Sequence, residues 1–251
     1  MKVVIISDLH ANVEALAVLP REYDELWVLG DLVNYGPNPA EVVEFVRSRA
    51  KHVVRGNQDE FLGWGDDPRC PGPFRELATV TGEFTRTRLT ERDNTFLREL
   101  PLQMQLQVGH TRFWLCHAMP SDPLYGYGPP ESEGWKEECV RTPAEILLVG
   151  HSHMQFMKKV GDCLLVNPGS PRIETIWRAL RSGKTEGSVC VLRSMRSAQR
   201  SRKWEPCLYR RPSRKIWSRS CELDHWRRNA RRACLWQTSR NRLLVRADIR
   251  E

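Results

Sequence analysis

The stretch Ile6-Ser7-Asp8-Leu9-His10-Ala11-Asn12 decides how this chain is interpreted. It begins at the end of the apolar run Val3-Val4-Ile5-Ile6, which predicts a short buried strand. The strand ends in a carboxylate, a histidine and an amide, and α/β proteins place their chemistry at the carboxyl ends of such strands. Asp-x-His is not specific by itself, because ordinary strand-to-helix turns contain the same residue types. The interpretation therefore depends on whether later strands end in complementary ligands.

Four later predicted strands do end in such ligands. They are residues 25–29, followed by Asp31; 52–54, followed by Asn57; 111–116, followed by His117; and 146–149, followed by His151 and His153. Helical spacing over 11–19 and 40–49 separates the first three strands, which predicts parallel β-α-β units with right-handed crossovers. We also expect a surface loop over 63–74, helical spacing over about 74–99, hairpins over 103–116 and 156–166, and a long cleft-lining loop over 118–134.

The predicted ligands are two Asp, one Asn and four His. This mixture of carboxylate, amide and imidazole suits first-row metals such as Mn, Fe, Co or Zn rather than calcium or a thiolate zinc site. Seven ligands exceed the need of one tetrahedral ion and suit two ions about 3.5–4 Å apart that share a carboxylate. Such a pair can acidify a bridging water and hold phosphoryl oxygens, so the pattern favours phosphoester hydrolysis.

Taken in order, these motifs resemble those of the calcineurin-like metallophosphoesterase superfamily. They are Asp8-x-His10, Gly30-Asp31, Gly56-Asn57-x-Asp59, His117 and Gly150-His151-x-His153. Asn167-Pro-Gly-Ser170 resembles the small bacterial and archaeal phosphodiesterase branch, including proteins related to diadenosine tetraphosphatase. The resemblance covers residues 1 to about 170 and implies an α/β fold, a four-layer α/β/β/α sandwich of two mixed sheets.

The resemblance also implies roles for individual residues. The expected ligands are Asp8, His10 and His153 for one divalent ion and Asn57, His117 and His151 for the other, with Asp31 bridging the two. The ions would be drawn from Mn, Fe, Zn, Co and Ni, and a metal-bridging hydroxide would attack phosphorus. The expected catalytic residues are Asp31, Asn57 and Gln58, and the expected substrate-binding residues are Asn12, Tyr35 and Asn57.

Two residues next to Asn57 need separate interpretation. Many members of the superfamily have a histidine where this chain has Gln58, and that histidine is thought to protonate the leaving group or bind phosphate. Glutamine can donate a hydrogen bond to a phosphate but cannot deliver a proton near neutral pH, so we expect a preference for good leaving groups. Asp59 is expected to orient its own loop rather than to bind metal.

The sequence favours hydrolysis of a phosphodiester, with a phosphorylated small molecule or nucleotide as substrate. Two alternatives remain open: a nucleotide or protein phosphomonoesterase using the same site, and a non-catalytic nucleic-acid-binding protein acting through a basic tail.

No apolar run approaches the roughly 18 residues of a membrane span. Met1-Lys2 leads directly into a strand, which predicts no signal peptide. Eight scattered cysteines without a Cys-x-x-Cys pair favour a reduced, cytoplasmic setting.

The basic tail begins after Ser170. Residues 1–170 contain 17 basic and 24 acidic residues, a net charge of −7, whereas residues 171–251 contain 22 basic and 7 acidic residues, a net charge of +15. The sequence predicts one strand over 187–192 and a short final element over 240–249. We therefore expect a domain over 1–193 and an Arg/Ser/Trp-rich segment over 194–251. Three interpretations of the tail stay open: a nucleic-acid-binding appendage, a divergent completion of the domain, or a shifted reading frame.

Overall fold

The computed structural model describes residues 1–17, 19–65, 67–70 and 72–170, together with the backbone of three short strands beyond residue 189. Its strands are β1 (Lys2–Ile6), β2 (Glu25–Val28), β3 (His52–Val53), β4 (Gln103–Val108), β5 (Thr111–Cys116), β6 (Ile146–Leu148), β7 (Phe156–Val160), β8 (Cys163–Asn167), β9 (Cys190–Arg193), β10 (Pro206–Cys207) and β11 (Leu244–Val245). Its helices are α1 (Val13–Leu16), α2 (Pro39–Arg49), α3 (Asn57–Trp64), α4 (Gly72–Arg88), α5 (Glu91–Glu99) and α6 (Trp135–Arg141). None of the helices in the described part of the chain could cross a membrane.

The strands form two mixed sheets. The first has the order β3-β2-β1-β9, in which β1, β2 and β3 are parallel and β9 runs antiparallel to β1. The second has the order β4-β5-β6-β8-β7, in which β5, β6 and β8 are parallel and the two outer strands are antiparallel. The strands β10 and β11 pair antiparallel with each other and form a two-stranded sheet of their own. Parallel strands place their carboxyl ends at one edge of a sheet, which is where the predicted ligands follow β1, β2, β3, β5 and β6.

The side chains of β1 alternate between two hydrophobic layers, as the period of a strand requires. Val4 and Ile6 lie in a core with side chains of α1, α2, α3 and α5, whereas Val3 and Ile5 lie in a core shared with the second sheet. In that central core the Trp27 ring meets the Phe113 ring edge-on, with centroids 5.1 Å apart. A third core joins the far face of the second sheet to α6. The order helix, sheet, sheet, helix confirms the predicted four-layer sandwich.

The structure corrects several element predictions. The helices α3 and α6 were not predicted, and the expected loop over 63–74 begins and ends inside helices. The helical spacing over 74–99 is divided between α4 and α5, because Thr90 caps a new helix. The helix expected over 11–19 spans only Val13–Leu16 among the described residues. Beyond Ser170, the predicted strand near 187–192 is β9, and most of the segment 194–251 lies outside the described residues.

Candidate metal centre

The predicted ligands lie at strand ends in an uncommon backbone conformation. Five of them have positive φ angles: Asp8 (56°), His10 (46°), Asp31 (54°), His151 (61°) and His153 (57°). Residues other than glycine adopt this conformation at a cost, and such residues cluster at functional sites. The conformation turns the chain sharply after β1, β2 and β6, so that the ligands that follow these strands converge.

One group of ligands surrounds the end of β1. His10 Nε2 lies 3.1 Å from His153 Nε2, and His153 Nε2 lies 3.3 Å from Asp8 Oδ1. Potential ligand atoms of Asp8, His10, Asp31 and His153 all lie within 4.8 Å of one another. These are the side chains assigned to the first ion, together with the proposed bridging carboxylate.

A second group surrounds Asn57. The amide oxygen Oδ1 of Asn57 lies 3.1 Å from His117 Nε2 and 3.1 Å from His151 Nδ1. His117 and Asn57 are both buried, and His151 is partly exposed at the edge of the group. The structure thus brings together the three side chains assigned to the second ion.

Asp31 lies between the two groups. Its Oδ2 is 3.6 Å from His10 Nε2 and 3.5 Å from His117 Nε2, while its Oδ1 accepts a hydrogen bond from the backbone N–H of Gln58 at 2.8 Å. One oxygen is therefore fixed by the backbone, and the other faces a histidine of each group.

The histidines are arranged as metal ligands rather than as cations. His117 Nδ1 lies 2.7 Å from the carbonyl oxygen of Leu29, which favours a proton on Nδ1 and leaves Nε2 free to coordinate. Burial lowers the pKa of His10 and His117 and lowers that of His151 to about 3, so these rings are neutral near pH 7. Metal ions bind neutral imidazole.

The carboxylates need a cation. Asp8 Oδ1 is buried and forms no hydrogen bond with the described residues. Burial, followed by the charges of Asp8 and Asp59, raises the pKa of Asp31 well above its usual value. For Asp8, burial also acts to raise the pKa, but contacts with His153, His117 and His10 outweigh it and the net pKa is low. A divalent ion would satisfy the orphaned oxygen and remove the repulsion between the carboxylates, so the donor set fits metal.

Asp59 supports the site without belonging to the ligand groups. Its Oδ2 accepts backbone N–H groups of Asp31 and Gly56, both at 2.9 Å, and its Oδ1 accepts the N–H of Leu32 at 2.8 Å. The carboxylate thus ties the loop after β2 to the loop after β3, which confirms the expected loop-orienting role. The two loops touch so closely that a Cβ on Gly56 would lie 2.2 Å from Asp31 Oδ1.

The Asn167–Ser170 turn supports a third loop. Asn167 Nδ2 donates to the carbonyl oxygen of Gly150 at 2.7 Å, and Ser170 Oγ donates to the carbonyl oxygen of Asp8 at 2.8 Å. The turn therefore holds the segment that carries His151 and His153 against the end of β1. Sequence reasoning identified this motif by resemblance but did not identify its contacts.

The remaining predicted residues lie around the ligands. Gln58 is buried, and its Oε1 accepts a hydrogen bond from Asn34 Nδ2 at 2.7 Å. The Tyr35 ring stands edge-on to the ring of His10, with centroids 5.2 Å apart, and its hydroxyl lies 3.5 Å from Cys70 Sγ. The side chain of Asn12 caps α1 by accepting the N–H of Ala15. Sequence reasoning missed Cys70, because it lies within the predicted surface loop over 63–74, which has no periodicity.

Comparisons with known proteins agree with this geometry. The family model of the calcineurin-like phosphoesterase superfamily domain matches residues 1–193. An uncharacterized protein of Methanocaldococcus jannaschii is 30% identical over 205 residues, which cover 75% of this chain and 81% of that protein. The crystal structure of a metallophosphoesterase from Sphaerobacter thermophilus matches with a TM-score of 0.56 and 26% identity, over 67% of this chain and 76% of that one. A hypothetical protein from Pyrococcus horikoshii OT3 shares the fold, with a TM-score of 0.56 and 22% identity over 67% of this chain and 76% of that one. The chain therefore belongs to the calcineurin-like phosphoesterase superfamily.

Proposed function

We propose that this chain hydrolyses phosphodiesters with two divalent metal ions held by the seven side chains of the two ligand groups. The observation that carries the proposal is the position of Asp31 Oδ2, 3.6 Å from His10 Nε2 and 3.5 Å from His117 Nε2. A carboxylate between two sets of ligands is suited to bind two ions about 3.5–4 Å apart, the spacing of two-metal phosphoesterases. The mixed nitrogen and oxygen ligands suit Mn, Fe, Zn, Co or Ni.

The chain's own groups have distinct parts in this proposal. When bound, the two ions would lower the pKa of a shared water and neutralise charge on the phosphoryl oxygens. The four histidines and the two carboxylates would hold the ions, and the Leu29 carbonyl fixes the orientation of His117. The Asn57 oxygen faces His117 and His151, which leaves its amide N–H groups to donate to a phosphate oxygen.

The proposed substrate is a phosphorylated small molecule or nucleotide with a good leaving group. The residue after Asn57 is Gln58, whose amide cannot deliver a proton and is already bonded to Asn34. A leaving group of low pKa does not need that proton. The Tyr35 ring beside His10 supplies part of the wall against which such a substrate would bind.

Hydrolysis of bis-p-nitrophenyl phosphate by the full chain tests the proposal. We expect activity with added Mn²⁺ and about two metal ions per chain by elemental analysis. The variants Asp31→Asn and His117→Ala should each lower the rate of hydrolysis. The loss should exceed the roughly 10–100-fold loss that follows removal of an outer-shell partner, because both side chains would contact the ions directly.

The matched control is His110→Ala, which removes an exposed histidine in the turn between β4 and β5. It should retain both the hydrolysis rate and the metal content. No hydrolysis with any of the five metals, or equal rates for the His117 and His110 variants, would refute the proposed activity. Faster hydrolysis of p-nitrophenyl phosphate than of the diester would indicate the phosphomonoesterase alternative instead.

A further inference from the structure

The long loop over 118–134 presents an exposed aromatic ring beside the second ligand group. The Tyr127 side chain is 63% exposed, and its ring stands nearly perpendicular to the ring of His151, with centroids 6.3 Å apart. Single exposed aromatic residues are common on protein surfaces and need no explanation by themselves. This one lies within ring-contact distance of a predicted metal ligand.

The loop holds Tyr127 in a fixed position. The Asp122 carbonyl accepts the N–H of Gly126 at 3.0 Å, and the Trp135 indole N–H donates to the Pro129 carbonyl at 2.8 Å. The glycines on either side of Tyr127 touch their surroundings, since a Cβ on Gly126 would lie 2.7 Å from Met119 Cβ and one on Gly128 would lie 2.1 Å from the Trp135 ring. A backbone restrained on both sides of the ring loses less entropy when a ligand binds than a mobile loop would.

A second segment, which carries Arg69 and Cys70, contacts this loop. The Arg69 guanidinium lies over the Tyr125 ring, 4.9 Å from its centroid. The next residue, Cys70, contacts the hydroxyl of Tyr35, whose ring lies against His10. Aromatic rings therefore lie against a histidine of each ligand group, Tyr127 against His151 of the second and Tyr35 against His10 of the first.

We propose that Tyr127, supported by the Arg69–Tyr125 contact, is a stacking surface for the base of a nucleotide ester whose phosphate lies at the metal centre. This inference rests on the proposed phosphodiesterase function and names its substrate class. A nucleotide base has a flat π-face that stacks on tyrosine, and arginine adds attraction for both the ring system and the phosphate. An alkyl ester offers no such face, so the surface would favour binding of nucleotides over binding of simple alkyl phosphates.

Two substrates with the same leaving group test this inference. Thymidine 5′-(p-nitrophenyl phosphate) and ethyl p-nitrophenyl phosphate both release p-nitrophenolate, but only the first carries a base. We expect the full chain to prefer the thymidine ester in kcat/KM, and Tyr127→Leu to lower that value by about tenfold, the scale of one stacked base. The same variant should leave the ethyl ester almost unchanged, and Tyr127→Phe should behave as the unmodified chain.

Binding gives a readout that does not depend on turnover. Calorimetric titration of the metal-loaded protein should show tighter binding of thymidine 5′-monophosphate than of inorganic phosphate, and Tyr127→Leu should remove the difference.

If both esters are hydrolysed with equal kcat/KM, or if Tyr127→Leu changes the kcat/KM of both esters alike, the stacking surface is refuted while the proposed phosphodiesterase activity is retained. If neither ester is hydrolysed but the nucleotide still binds more tightly, the proposed activity fails and the surface is retained. Equal binding of nucleotide and phosphate overturns the surface whatever the rates are.

Discussion

At the scale of single residues, the carboxylate of Asp59 determines where Asp31 lies. It accepts three backbone N–H groups from two different loops, at 2.8–2.9 Å. We expect Asp59→Asn to disturb this arrangement although the side chain keeps its size, because in either orientation its NH₂ group meets a backbone N–H donor. Each unsatisfied buried group costs about 1–3 kcal/mol of unfolding free energy. Metal affinity and hydrolysis should fall about 10–100-fold, as for other residues that orient ligands.

Urea unfolding, metal titration and the diester assay together check this prediction. The matched control is Asp162→Asn, which makes the same chemical change in the exposed turn between β7 and β8. The control should behave as the unmodified chain in all three measurements. An Asp59 variant that kept both its stability and its metal affinity would show that the backbone positions Asp31 without the carboxylate.

The sequence allowed the candidate ligands to be predicted because each follows an apolar strand, and strand ends in such a fold meet at one edge. It did not reveal the positive φ angles of residues such as Asp8 and His151, since nothing in their side chains demands this conformation. Arg69, Tyr125 and Tyr127 were also missed as candidates. They lie in loops, where no periodicity relates sequence to spatial position.

At the scale of elements, α5 depends on a capping box at its first turn. Asp93 Oδ2 accepts hydrogen bonds from the N–H and the hydroxyl of Thr90 at 2.9 and 2.7 Å, and Arg47 of α2 donates to Oδ1 at 2.7 Å. Because α5 packs against both α2 and α3, this carboxylate helps to hold the helix that begins at Asn57. We expect Asp93→Asn to lower the free energy of unfolding at pH 7 by about 1–2 kcal/mol.

The effect should depend on pH. Burial acts to raise the pKa of Asp93, but the contacts with Thr90 and Arg47 outweigh it, and the pKa lies below its ordinary value of 3.8. As the pH falls, the unfolded chain binds this proton before the folded protein does. The stabilisation is therefore complete above a pH of about 4 and is lost as the pH falls through the lower pKa of the folded state.

Urea unfolding between pH 3 and pH 7 measures this dependence, with each variant compared with the unmodified chain at the same pH. The control is Glu91→Gln in the same helical turn, whose exposed carboxylate pairs with Arg98 at the surface and contributes only about 0–1 kcal/mol. If the Asp93→Asn difference stays constant down to pH 3, the stabilisation does not come from the charge of Asp93.

Helix prediction succeeded where apolar spacing was regular and failed where polar residues were recruited to the site. The pattern predicted α2, whose buried side chains include Val42, Val43 and Val46. It did not predict α3, because Asn57, Gln58 and Asp59 in the first turn are buried polar residues that serve the site rather than a hydrophobic face. The start of α5 was not predicted, although the spacing of Thr90 and Asp93 matches the capping box that the structure shows there.

At the scale of the whole molecule, one strand from beyond the ligand motifs joins the sheet that carries them. Lys2, Val3, Val4 and Ile5 of β1 pair with β9 residues Arg193, Leu192, Val191 and Cys190 in antiparallel register. Without β9, the strand that leads into Asp8 and His10 would become an exposed sheet edge. The position of β9 explains physically why a domain that ends near Arg193 is expected, although the ligand motifs end near Ser170.

Two truncations that differ by four residues test this domain boundary. A chain that ends after Arg193 retains β9, so we expect it to keep the unfolding temperature and the diester hydrolysis of the full chain. A chain that ends after Val189 loses the pairing of β1, and each lost ladder hydrogen bond costs about 0.5–1.5 kcal/mol. The shorter chain should therefore melt at a lower temperature and bind metal more weakly. Equal melting temperatures would show that β9 does not complete the sheet. Loss of activity in the longer chain would show that residues after Arg193, whatever their origin, belong to the catalytic domain.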